Sequence, residues 1–185
     1  MKYSILLITA LWAGMAAASR LKVEGQSEFV AVGKPGFIKI HGQGEGLKGE
    51  LVVAGNKVSG ELIFPVGELN TGVGLRDRHM KDEFLEAGKY PEVKLVLKEV
   101  ALPADPEKNG FKQTQIPFTG TLTVRGISKP LTGTIDLATD AGKTHGDARF
   151  EVKMSDFGFR KAEYLGLKVE DAVQVKAHLE AKKKS

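Results

Sequence analysis

From Val58 onward the chain keeps returning to one pattern, apolar and polar residues in alternation. Val58, Gly60, Leu62 and Phe64 fall on one side, with Ser59 and Glu61 on the other. The same holds for Val93, Leu95 and Leu97, and for Ile116, Phe118, Gly120, Leu122 and Val124. It holds again for Leu131 to Leu137, Ala148 to Met154, and Val173 to Leu179. A period of two puts successive side chains on opposite faces of a strand. One wet face per strand points to antiparallel sheet rather than to parallel strands covered on both sides.

Earlier in the chain, Phe29–Val32, Phe37–Ile40 and Leu47–Val53 read as three less regular strands. Gly42, Gly44, Gly46 and Gly49 fit bends in a coiled sheet or simple turns. Ala54-Gly55-Asn56-Lys57 and Asp140-Ala141-Gly142-Lys143 are tight hairpin turns, with glycine supplying positive φ. The expected fold is all-β, an antiparallel barrel of about eight strands holding packed side chains or one ligand. An outer-membrane barrel also alternates. Here the polar faces carry many Lys and Glu, and Pro, Gly and Asn interrupt strands too short for spanning.

The first 18 residues read differently. Lys2, an apolar run from Ile5 to Trp12, and Ala16-Ala17-Ala18 before Ser19 form the layout of a secretory signal peptide. The run falls short of the ~20 apolar residues that a membrane-spanning helix needs. Residues 19–185 are then one exported, periplasmic domain, long enough for a hydrophobic core. The sequence has no cysteine, so neither disulfides nor thiolate chemistry support it. The net charge of +4 is largely that of Lys2 and of the terminal Lys182, Lys183 and Lys184, expected as a frayed soluble tail. Such a tail gives at most weak contact with anionic membranes. With no basic patch interleaved with aromatics, nucleic acid is not an expected partner.

One stretch breaks the alternation. Leu69 to Met80, running on to Phe84-Leu85 and Tyr90-Pro91, crowds charge, a histidine and large apolar residues together. Leu75 to Leu85 is expected to be helical, within a helical insertion near residues 74–86. Pro91 holds Tyr90 extended and a strand follows. Insertions of this kind often form the mouth or lid of a site. Leu102 to Lys112 reads as a polar surface loop, and Ser155 begins a second excursion ending near Gly166.

Arg76, Asp77 and His79 are the candidate polar site. As a catalytic set they lack a serine, a cysteine or a second histidine at a recognisable spacing. His41, His145 and His178 lie on other strands, and three or four metal ligands cannot be assembled. As a clasp, Arg76 and Asp77 would tie the insertion to the barrel rim. As a head-group site, a guanidinium held by a carboxylate meets phosphate or a quinone oxygen. The candidate apolar pocket residues are Leu75, Met80, Phe84, Leu85, Tyr90, Phe118, Phe150 and Phe157. Small inward residues (Gly60, Gly120, Gly133, Ala148, Ala177) leave room for a chain-like ligand or mark bends.

Three motifs in order resemble the YceI-like family of exported, polyisoprenoid-associated barrels. They are Thr71 with Arg76-Asp77-Arg78-His79, Phe84-Leu85 and Tyr90-Pro91; then Gly120-Thr121-Leu122-Thr123-Val124-Arg125-Gly126 with Lys129; then Ser155-Asp156-Phe157-Gly158. The closing strand Val173 to Ala181 fits as well. The resemblance implies a lipocalin-like barrel around a long isoprenoid chain, with no cofactor required beyond a bound isoprenoid lipid or quinone. Two positions depart from the family pattern: Gln26-Ser27 lacks the histidine of the first strand, and Met154 stands where an arginine is common. The expected function is an exported binding protein, not an enzyme. The alternatives are an enzyme using His79 as base on a lipid-like substrate, and a ligand-free interaction module. An open edge beside the first strands would suit a homodimer.

Overall fold

The structure, a computed structural model, describes residues 18–35, 38–159, 163–164 and 167–184. The expected signal peptide, except for its last residue, and Phe37 lie outside the described residues. Strands β1 (Ser19–Lys34) and β2 (Ile38–Ala54) are the longest, with 16 and 17 residues. β3 (Lys57–Pro65), β4 (Glu92–Ala101), β5 (Lys112–Val124), β6 (Ile127–Asp140) and β7 (Lys143–Lys153) follow. Each pairs antiparallel with the strand before it. The short β8 (Glu163–Tyr164) and β9 (Leu167–Val169) form a hairpin attached at Gly33 and Lys34 of β1.

Closure comes from β10 (Ala172–Lys183). It pairs with β7 on one side and with β1 on the other, from Leu21↔Lys183 to Val30↔Gln174. β1 to β7 and β10 thus make a closed eight-stranded antiparallel barrel. Closure satisfies backbone groups that an open sheet would leave exposed. The edge of β1 that was expected to suit a second copy is occupied by β10 along this stretch. Among the described residues no helix is long and apolar enough to cross a membrane.

The alternation sets the inner face as expected. Leu62, Phe64, Ile116, Phe118, Leu122, Val124, Leu131, Ala148 and Ala177 are all buried in one core. The expectation of three separate early strands gives way to two long ones. Glycines blurred the pattern there for a packing reason: a Cβ on Gly42 would lie 2.2 Å from Cε1 of Phe29, whose ring takes that room. Gly46, at φ +83, is the extra residue of a bulge where the β1–β2 register shifts between Gly25 and Gln26.

The β4–β5 connection was expected to be a polar surface loop. Instead Leu102, Pro106 and Phe111 turn inward and are buried. They close the barrel end that would otherwise expose the core to water. Asn56 pins the loop, accepting from the Leu102 N–H at 2.7 Å and donating through Nδ2 to the Leu102 carbonyl at 2.7 Å. Buried Thr139 donates its hydroxyl to the Pro106 carbonyl at 2.6 Å. The terminal lysines are not frayed either. Lys182 meets Glu180 at 2.7 Å, Lys183 meets Glu107 at 3.5 Å, and Lys184 meets Glu50 at 2.6 Å. Such exposed pairs add little stability, but they offset most of the tail's charge.

Candidate functional site

The strand order sends the β3–β4, β5–β6 and β7–β10 connections to the barrel end opposite the plug. A cavity of ≈ 310 Å³ lies under this end. Its walls are apolar strand residues, among them Phe29, Ile40, Phe64, Val93, Phe150 and Val175. Polar side chains in the wall are few: Ser27 on β1, and Thr71, Arg76 and His79 on the insertion. The cavity is therefore an apolar well, polar at the rim that the insertion forms and, within the wall, only at Ser27.

The insertion that covers it begins with a short helix, α1 (Gly74–Arg78), which widens into a π-helical turn over His79–Phe84. The wider turn shows in the Leu85 N–H, which donates to the Met80 carbonyl at 2.9 Å. Such turns recur at functional sites. Both ends of the insertion are clamped. At the start, Asp77 Oδ1 accepts from the Thr71 N–H at 2.8 Å and from the Thr71 hydroxyl at 2.5 Å. Arg76 donates through Nε to Thr71 Oγ1 at 2.7 Å and through Nη2 to the Thr71 carbonyl at 2.9 Å. At the far end, Glu86 pairs with Arg125, whose guanidinium lies 5.0 Å from the centre of the Phe159 ring. His79 Nδ1 lies 2.9 Å from Glu83 Oε1, one helical turn on.

The profile of the YceI-like domain matches residues 16–181. The chain belongs to the YceI-like family. Solved structures with the same fold include a polyisoprenoid binding domain from Saccharophagus degradans, at 14% identity and a TM-score of 0.70. That alignment covers 92% of this chain and 99% of that one. BcnA from Burkholderia cenocepacia aligns at 22% identity and a TM-score of 0.66, over 84% of this chain and 96% of that one. The Campylobacter jejuni YceI protein aligns at 21% identity and a TM-score of 0.62, over 79% and 86%. At these identities the likeness is one of fold. Comparison with curated protein sequences gives no match.

Within this YceI-like barrel the sequence-derived site residues fall in different places. Arg76, His79, Met80, Phe84, Leu85 and Phe150 line the cavity. Asp77 lies behind the rim and reaches Arg76 only through Thr71. Leu75 is 48% exposed and is not part of the wall; five residues before Met80 and nine before Phe84, it falls on another face even of a regular α-helix. Phe118 faces a lower cavity and meets Phe150 edge-on, with ring centres 6.3 Å apart. Phe157 is buried in the core, and Tyr90 packs over Gly126 with the Lys89 ammonium 4.9 Å from its ring centre. Phe29 and Ile40 are wall residues that sequence reasoning missed, although alternation carried through β1 and β2 points to them. Thr71 belongs to the first motif, but nothing local marks it as the joint between Arg76 and Asp77. Among the described residues no three His, Asp or Glu side chains are placed to share a metal ion.

Removing that joint has a defined outcome. Thr71→Val strips the hydroxyl that Asp77 and Arg76 share, and leaving half-buried polar partners unmet costs about 1–3 kcal/mol. Hydrogen exchange in residues 72–85 is expected to speed up while β5 to β7 keep their protection. Uniform exchange across both regions would show that the clasp does not hold the insertion.

The second excursion is tied down by Asp171. Its carboxylate accepts the Ser155 hydroxyl at 2.6 Å and the Ser155 N–H at 2.7 Å, and these two bonds, the hydroxyl first, hold its pKa below the usual aspartate range. A depressed folded pKa means the stabilisation is full above about 3.9, the unfolded value, and fades as pH falls through the lower folded one. Asp171→Asn is therefore expected to flatten the acid limb of a stability-versus-pH curve below about pH 4. Parallel wild-type and variant curves would remove Asp171 from the acid response.

Proposed function

We propose that this chain is an exported, periplasmic binding protein that holds a long isoprenoid-type lipid or isoprenoid quinone in its barrel. The observation that carries this reading is the apolar cavity of ≈ 310 Å³ whose polar residues, Ser27 apart, gather on the insertion at one rim, with its far end plugged. An amphipathic lipid with a single polar head matches that polarity. The Saccharophagus degradans relative is a polyisoprenoid binding domain, which supports the same ligand class. The N-terminal segment, with its apolar run and small residues before Ser19, supports export.

Arg76 and His79 are the proposed head-group contacts. Arg76 commits Nε and Nη2 to Thr71, which fixes the guanidinium plane and keeps Nη1 for an oxygen of the ligand. Met80, Phe84, Leu85 and Phe150 form the proposed apolar contacts just below. An isoprenoid of ~40 carbons at about −0.3 kcal/mol per atom reaches on the order of −12 kcal/mol, near nanomolar affinity. Apolar burial alone supplies this, so the reading needs no catalytic group.

The test is organic extraction and mass spectrometry of the protein purified from its native envelope without detergent. A stoichiometric polyprenyl or quinone species is expected, and its head group names what Arg76 meets. A clean blank, repeated after incubation with prenols, prenyl phosphates and quinones, would overturn the reading.

A further inference from the structure

The cavity under the insertion does not run the length of the barrel. A second apolar chamber of ≈ 90 Å³ lies below it, walled by Val53, Leu97, Phe118 and Leu137 and reaching Leu102 and Pro106 of the plug. Four side chains belong to the walls of both chambers: Leu62, Leu95, Ala148 and Leu179. Leu62 and Leu95 are directly paired between β3 and β4. Ala148 and Leu179 sit on the paired strands β7 and β10. In the ring of eight, β3 and β4 stand across from β7 and β10. The four side chains thus reach in from opposite walls at one level and divide the interior.

The divider is held in place. Leu62 is buried in the core, and Leu95 and Leu179 pack against that core. A Cβ on Gly120 would fall 2.9 Å from Cδ1 of Leu95, so the leucine fills the room that β5 leaves it. Ala148 is the small member, and the leucines account for most of the obstruction.

Resting on the reading of the barrel as a prenyl-lipid binder, we infer that Leu62, Leu95 and Leu179 are the chain-length ruler of the site. A prenyl tail descends from the rim, and each added isoprene unit gains affinity while it buries apolar surface. The gain stops when the tail end meets the divider, because going further means forcing atoms into packed side chains. The lower chamber stays outside the wild-type binding site, and opening the divider adds it to the path.

The experiment measures binding of linear prenols (geraniol, farnesol, geranylgeraniol and solanesol, with intermediate lengths) to the purified protein by native mass spectrometry. In the wild type, affinity is expected to rise with length to a limit. In the Leu95→Ala/Leu179→Ala double variant the limit moves to chains longer by at least one isoprene unit, and an unmoved limit overturns the inference. Leu97→Phe fills only the lower chamber and leaves all the divider residues in place, so it tests the ruler even where the opened variant does not fold. It is expected to leave the wild-type limit unchanged. A shortened limit would mean that tails already pass the divider, which overturns the inference while the binding reading stands. A wild-type protein that takes no prenol of any length overturns the binding reading and the ruler with it.

Discussion

Gly25→Ala is expected to lower the stability of the folded chain by about 3 kcal/mol or more, at the upper end for forcing atoms into a packed site. A Cβ at this position would lie 2.0 Å from the His178 carbonyl oxygen. That oxygen is backbone in β10, so relief requires the strand itself to move. Gly25 pairs with Leu179 and borders the register shift of β1, which places the clash on the seam that closes the ring. The chain has no cysteine, so no covalent link compensates. Urea denaturation reads the loss as a lower midpoint. Gly67→Ala is the control, since a Cβ there meets nothing within 4 Å, and it should leave the midpoint nearly unchanged. Equal midpoints for Gly25→Ala and wild type would show that the seam has slack and that closure depends on other strands.

Ala177→Phe is expected to cut affinity for a linear prenol at least about a hundredfold, equivalent to about 2.7 kcal/mol, while the barrel stays folded. Ala177 is 7% exposed, lines the upper cavity and lies opposite Ala148 in the β7–β10 pairing. The phenyl ring added there enters the cavity of ≈ 310 Å³ and competes with the ligand for it. Overpacking strain is small where a ring grows into a void, and the ring buries apolar surface of its own. Binding and stability should therefore separate, which a general folding defect would not allow. Competition against a bound fluorescent lipid, alongside a urea titration, measures both. Unchanged affinity with a folded barrel would place the ligand elsewhere than this chamber.

Much of the architecture was legible because period two is a local property. Val93, Leu95 and Leu97, or Val173, Val175 and Ala177, declare their inward face through the alternation of their own strand. The two short hairpins at residues 54–57 and 140–143 were legible for the same reason, since glycine chemistry and flanking strands sit within a few residues of one another. The insertion showed itself as a break in that rhythm. Within it, Arg76, His79, Met80, Phe84 and Leu85 do gather at one cavity. Leu75 does not and stands exposed, because its spacing from Met80 and Phe84 puts it on a different side of the helix.

The less legible features are those made by residues distant in sequence. Leu102, Pro106 and Phe111 read as a loop because their apolar spacing is irregular, and only the open barrel end beneath them makes burial favourable. The lysines of the C-terminus read as a solvated tail, while β1–β10 pairing carries Lys183 and Lys184 to Glu107 and Glu50. Thr71, Arg76 and Asp77 are near in sequence, yet one hydroxyl serves both charged groups only because the backbone between them turns.

By itself, then, the sequence determined that the chain forms amphipathic antiparallel strands, where two of their hairpins turn, and that one polar, histidine-bearing insertion interrupts them. It did so because side-chain direction along a strand and the φ that a turn demands are settled within a few residues. Tertiary structure alone decided that β10 returns to β1, which walls stand opposite each other, and therefore that Leu62, Leu95, Ala148 and Leu179 meet at one level to divide the interior. Those outcomes depend on register and ring closure, which are set by packing the whole set of strands at once rather than by any segment of the chain.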